Sequence, residues 1–126
     1  MEIRAATRSL AALAQESRLS AFRLLVRAGG DGMAAGAIAQ TLDIPHNTLS
    51  THLAALQHAG LIRSRREGRS IIYSVDFDGT RALLGFLLED CCQGAPEVCT
   101  PALDSVLADC CSPLAEGAAT DETPAR

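Results

Sequence analysis

Apolar residues return along the first half of this chain at three- and four-residue steps. Ile3, Ala6, Leu10 and Leu13 form one such stripe, the mark of a helix with a single buried face. RLSAFRLLVRA repeats the pattern after Ser17, the expected N-cap, with Leu19, Phe22, Leu25 and Val26 as the expected inward face. GGDG at 29–32 breaks that helix. AAGAIAQTL predicts a short third helix with Ile38 and Leu42 inward. The tight turn DIPH then leads into a fourth over about 46–58, where Leu49, Leu53 and Leu56 share a face and Gly60 follows the end. From Leu61 the period changes. LIRSRREGRSIIYSVD alternates and is rich in β-branched residues about a central Gly68-Arg69, which predicts a two-stranded hairpin. A helix over about 78–91 follows, then a short one over 101–111; the composition of 112–126 predicts a disordered tail.

The expected fold is therefore mainly α with α+β character, in the order α-α-α-α-β-β-α. Two short helices, a tight turn and then a hairpin are the order of a winged helix-turn-helix. In that arrangement the second helix of the pair enters the DNA major groove by its N-terminal end. The polar residues there are His46, Asn47, Thr48, Ser50, Thr51 and His52, whose amide, hydroxyl and imidazole groups suit base edges and phosphates. Leu83, Leu84, Phe86, Leu87 and Leu88 make the last long helix apolar over a wider arc than one small domain covers. Together with the Leu10/Leu13 stripe, this predicts a homodimer formed by the first and last helices.

Net charge changes this picture only after the chain is divided. The 126 residues sum to −4, which does not suggest a nucleic-acid partner. Residues 1–81 carry ten Arg against seven acids, however, whereas residues 82–126 carry one Arg against eight. Such asymmetry indicates two tasks in one chain. It supports a DNA-binding and dimerisation domain over 1–92 and a cysteine-containing tail over 93–126. Arg65, Arg66 and Arg69 at the hairpin tip suit phosphates or a narrow minor groove. No apolar run approaches the ~20 residues of a membrane span, and the charged, amphipathic N-terminus has no signal-peptide core, so the expected compartment is the cytoplasm. Thiols stay reduced there. Five cysteines then point to metal binding or redox sensing rather than a disulfide framework.

The segments ALAQESRLSAFRLL, IAQTLDIPHNTLSTHLAALQHAGLI and RREGRSIIYSV resemble the ArsR/SmtB family of bacterial metal-responsive repressors, over about residues 5–92. The resemblance implies a homodimer that represses an operon until an inducer binds. It also implies DNA contacts at Asn47, Thr48, Ser50, Thr51 and His52, with the wing at Arg65–Arg69. Two positions depart from the family pattern. Pro45 stands where a hydroxyl N-cap is usual, and Thr51 replaces a common second His. The family's Cys-x-Cys inducer site before the turn is missing from GMAAGAIAQTL, and the last helix has no His for a zinc site. Cys91, Cys92 and Cys99 resemble the arsenite site of a subgroup that senses through cysteines at the end of the last helix. The resemblance thus implies As(III) as inducer, with Sb(III) as a second candidate and Cys110 and Cys111 as further candidate ligands.

The chemistry of those residues is consistent with this. Soft thiolates select soft ions, and As(III) takes three of them in a pyramid. Adjacent residues on a helix diverge by about 100°, so Cys91 and Cys92 converge only if the backbone unwinds; Gly94 and Pro96 predict that it does, letting Cys99 fold back. A disulfide within the adjacent pair is disfavoured, because consecutive Cα atoms are ~3.8 Å apart and disulfides prefer ~4.4–6.8 Å. Two other sensors remain open on the same fold: a thiol redox or persulfide sensor, and a Cd(II) or Pb(II) sensor recruiting a fourth thiol. An enzyme is not expected. Residues 91–99 hold no Arg to cradle an oxyanion, and Glu89, Asp90 and Glu97 would repel one.

Overall fold

A computed structural model describes residues 1–89 and 96–110. The chain divides into two units, one spanning Met1–Leu88 and the other beginning at Glu89. In the first, helices α1 (Ile3–Leu13) and α2 (Glu16–Ala28) are followed by a 3-10 turn (Gly29–Asp31) and a short strand β1 (Met33–Ala34). Next come α3 (Ala35–Leu42), α4 (His46–His58), the hairpin strands β2 (Ile62–Glu67) and β3 (Ser70–Val75), and α5 (Phe77–Leu88). The described part of the second unit is one helix, α6 (Pro96–Cys110). No helix among the described residues is long and apolar enough to cross a membrane.

The core of the first unit is aliphatic. Leu25 of α2, Ile38 of α3, and Leu49, Leu53 and Leu56 of α4 are fully buried with Leu61 and Ile62 at the start of β2. Val75 and Leu83 close it from β3 and α5. The fully buried residues of α1 are small, Ala6, Ser9 and Ala12, and Leu13 at its end packs against the core, half-buried. The Ser9 hydroxyl is buried and donates to the Ala59 carbonyl at 3.3 Å, which satisfies it and ties α1 to the end of α4.

Several local features differ from the sequence expectation. The sheet has three strands in the order β1-β3-β2, because Met33 and Ala34 pair antiparallel with Tyr73 and Ile72. Two residues are too few to show an alternating pattern. The pairing demands glycine just before β1. Gly32 has φ 73°, and a Cβ there would sit 2.3 Å from the Tyr73 carbonyl oxygen. The cap of α2 is Gln15, whose side chain accepts from the Arg18 N–H at 2.9 Å, and Ser17 lies inside the helix. Leu19 and Val26 are exposed, and the inward face of α2 is Ala21 and Leu25, with Phe22 and Leu24 packed against the core. Ile3 and Leu10 face outward, as the expected dimer face requires of Leu10, whereas Leu13 packs against the core of its own chain.

α5 ends at Leu88, before the cysteines. α6 begins at Pro96, earlier than the expected 101, so Cys99 lies within a helix, and residues 90–95, where the unwinding is expected, lie outside the described residues. The physical reason is that proline is well suited to the first helical position, where its missing N–H bonds nothing in any case. Pro101, inside the same helix, is tolerated. Residues 111–126, including the expected disordered tail, lie outside the described residues.

Candidate DNA interface

The turn between α3 and α4 fixes the site. Asp43 adopts the left-handed conformation (φ 56°, ψ 49°), and the Ile44 N–H bonds back to the Ala39 carbonyl at 3.0 Å. This closes α3 in the manner of a left-handed cap, with a short acid side chain in place of glycine. Ile44 then packs against the core, and Pro45 caps α4 with extended backbone but no side-chain oxygen. The first-turn N–H groups of α4 are therefore left without a capping side chain, at the positive end of the helix dipole. Leu49, Leu53 and Leu56 fasten α4 to the core by one face. On the opposite side His46, Asn47, Thr48, Ser50 and Thr51 are exposed. The Thr51 hydroxyl donates within the helix to the Asn47 carbonyl at 3.4 Å. His52 differs from these: it is half-buried, and its Nδ1 is shielded and has no partner among the described residues.

The wing is placed by the hairpin. Glu67 pairs with Ser70 across a two-residue turn, Gly68-Arg69. Gly68 has φ 65° and Arg69 has no positive φ, the pattern of a II′ turn, which matches the twist of the strands. Residues directly opposite share a face, so the register sorts the arginines. Arg66, opposite Ile71, lies on the face that carries Ser64. There the Gln57 side-chain amide donates to the Ser64 hydroxyl at 3.2 Å, joining α4 to the wing. Arg63 and Arg65 lie on the other face. Arg65 is engaged: its guanidinium donates to the Asp31 carbonyl at 2.8 Å and to the Glu67 carboxylate at 2.7 Å.

The expected DNA-contacting residues therefore divide into groups. His46 and Arg69 come together with Gly36 and Ser70 around an open cleft of about 250 Å³ between the N-terminal end of α4 and the wing tip. Arg66 is exposed and makes no hydrogen bond or ion pair with any described residue. Arg65 anchors the root of the wing to the loop before β1, a role that the sequence pattern did not disclose, although Glu67 two residues away on the same strand face is its signal. Gly36 and Ser70 in the cleft carry no signal in the sequence at all.

Among the thiols, Cys99 and Cys110 belong to α6, while Cys91, Cys92 and Cys111 lie outside the described residues. No group of three or more His, Cys, Asp or Glu residues that could hold a metal ion occurs among the described residues.

A compact helical body with an exposed second helix and a basic hairpin beside it defines a winged helix-turn-helix domain, the class of DNA-binding transcriptional regulators. Comparison with known proteins agrees. A helix-turn-helix domain family matches residues 13–65. The chain is 35% identical over 78 residues to the nodulation protein NolR of Rhizobium meliloti, covering 62% of each sequence. It is 29% identical over 84 residues to the transcriptional activator HlyU of Vibrio cholerae, covering 67% of this chain and 75% of that one. Among solved structures it is similar to Mb0332 of Mycobacterium bovis, a homodimeric winged helix-turn-helix DNA-binding domain of a possible ArsR-family transcriptional regulator. The TM-score is 0.57 at 31% identity, over 70% of this chain and 82% of that one. The chain is thus similar in sequence and fold to winged helix-turn-helix transcriptional regulators, a possible ArsR-family member among them.

Proposed function

We propose that the protein is a cytoplasmic homodimeric repressor that binds operator DNA and releases it when As(III), with Sb(III) as a second inducer, is captured by Cys91, Cys92 and Cys99. The observation that carries DNA binding is the grouping of the α4 N-terminus with Arg69 and His46 around one cleft, with Arg66 free beside it. Uncapped helix N–H groups and arginines are phosphate donors. Asn47, Thr48, Ser50 and Thr51 stand one step further along α4 to read base edges.

Dimerisation is supported by an apolar face that the single chain leaves open. Ile3 and Leu10 of α1, and Leu84, Leu87 and Leu88 of α5, are all exposed, Ile3 at 67% and Leu84 at 53%. The two helices pack on one another, so these residues extend a common surface. A homodimer would present two copies of α4 to half-sites about one DNA turn apart, ~34 Å. The direction of control, repression, belongs to this reading; HlyU is an activator.

The inducer is argued from chemistry. Five thiols and an acidic C-terminal region without lysine suit a soft, thiophilic cation. Capture just beyond α5, which also carries the open apolar face, would bias the angle between the two α4 helices. A coupling of about 1–3 kcal/mol gives a 5- to 150-fold loss of affinity.

The test is fluorescence anisotropy of a labelled promoter fragment, titrated in turn with As(III), Sb(III), Cd(II), Pb(II), Zn(II) and peroxide. Release by As(III) at the lowest concentration supports the reading; release by peroxide alone, or by Cd(II) or Pb(II) alone, overturns the inducer assignment. Cys91→Ser should bind the fragment as the parent does and resist release.

A further inference from the structure

The wing has a second face, and its chemistry is not used by the proposed DNA contacts. Arg63 and Ser74 are register partners in the β2–β3 ladder, and residues directly opposite share a face. Arg65, two positions on, lies on the same side, whereas Arg66 lies on the other. Arg63, Arg65 and Ser74 line an open cleft of about 410 Å³ together with Phe77, the first residue of α5. That volume falls within the range of small-molecule sites, ~300–1,000 Å³.

Ser74 distinguishes this cleft from an ordinary surface crease. It is one of two buried polar residues among those described, at 7% exposed. The other, Ser9, donates its hydroxyl to the Ala59 carbonyl. The Ser74 hydroxyl makes no hydrogen bond with any described residue. Buried polar groups are as a rule paired, and a buried strand position favours an apolar β-branched residue over serine. A ligand group that enters the cleft and accepts from this hydroxyl accounts for both departures.

Charge decides the kind of ligand. Arg63 is exposed and makes no hydrogen bond or ion pair with any described residue. Arg65 is held by the Asp31 carbonyl and by the Glu67 carboxylate, which offsets its charge at 2.7 Å. The cleft therefore offers one uncompensated positive charge, and Glu67 on the same strand face opposes a second negative one. A monoanion fits this balance. A guanidinium takes a planar carboxylate through two parallel N–H groups, and the Ser74 hydroxyl supplies a third donor. Phe77 is 49% exposed, and its ring offers a stacking surface to a flat apolar group. An inorganic anion would leave that ring and most of the volume unused.

We propose that the cleft between the Arg63 face of the wing and the start of α5 binds a small aromatic monocarboxylate, held by Arg63 and Ser74 and stacked on Phe77. This assignment involves neither the thiols nor the metalloid, so either reading can fail without the other.

The test is nuclear magnetic resonance of the full-length, isotope-labelled protein titrated with sodium benzoate at constant ionic strength. The expected result is saturable binding, with amide shifts centred on residues 63, 74 and 77. Benzyl alcohol lacks the charge, acetate lacks the ring, and phthalate carries a second carboxylate; each should bind about ten-fold more weakly or worse. Arg63→Gln should weaken benzoate by about ten-fold, and Ser74→Ala by roughly three- to ten-fold, both at unchanged Tm. Arg66→Ala, on the opposite face, should bind benzoate as the parent does. Shifts that do not saturate, an unchanged affinity in Arg63→Gln, or acetate binding as tightly as benzoate would each overturn the proposal. Complete displacement of benzoate by an operator fragment would assign the cleft to DNA phosphate and overturn it as well.

Discussion

Gly79→Ala is the most informative single substitution in the first unit. Gly79 is the third residue of α5, directly under the N-cap Asp76, whose carboxylate accepts its N–H at 3.1 Å. A Cβ at this position would lie 1.9 Å from the carbonyl oxygen of Gly60, in the turn that follows α4. Both partners are backbone, so neither can rotate away, and the turn and the start of α5 must move apart. Overpacking of this kind costs about 1–3 kcal/mol, offset by up to ~1 kcal/mol from alanine's better helix propensity. A net loss of about 1–2 kcal/mol corresponds to a fall in Tm of roughly 5–10 °C for a domain of this size. Gly85→Ala, six residues on in the same helix, meets nothing within 4 Å and should stabilise by up to ~1 kcal/mol. The assay is thermal unfolding followed by circular dichroism at one fixed protein concentration, since association shifts Tm. If Gly79→Ala melted at or above the parent temperature, the close approach of α5 to the end of the recognition helix would be wrong.

Other substitutions separate structural from DNA-directed roles. Arg66→Ala and Arg69→Ala should each lower the salt dependence of operator binding by about one counterion without changing Tm, whereas Arg65→Ala should lower Tm as well, because it removes the links to Asp31 and Glu67; anisotropy across a salt series with parallel melts distinguishes them. Asp76→Ala should cost about 1 kcal/mol through the lost α5 cap, measured by urea denaturation. Leu84→Asp should shift the protein toward monomer in analytical ultracentrifugation and weaken operator binding while leaving helix content intact, because the residue is outside the core of its own chain.

Much of the fold is legible from periodicity. The Leu49, Leu53, Leu56 stripe marks α4 with both ends correct, and the alternation around Gly68-Arg69 marks the hairpin. The features that escape do so for identifiable reasons. β1 is too short to alternate, and its membership in the sheet comes from a tertiary pairing with Tyr73 and Ile72. In α1 the stripe divides: Ala6 and Leu13 meet the core and Ile3 and Leu10 point outward, while Ser9 and Ala12, which also face inward, are too small and too polar to stand out in the pattern. The basic run 63–69 looks like one patch. Strand register divides it between two faces, and a residue count cannot see that division. Pro96 resembles a breaker in the sequence yet initiates a helix, because the residues after it continue in helical conformation and leave it at the first position.

The hairpin is stitched down at its root, by Gln57 to Ser64 and by Arg65 to Asp31, yet carries its tip cations untethered. Such a lever holds its bearing while its end remains compliant. On the proposed operator it would follow a wider or narrower groove without disturbing the body behind it. Under that proposal base discrimination would concentrate on the rigidly seated helix, and the sequence flanking each half-site would be comparatively free to vary.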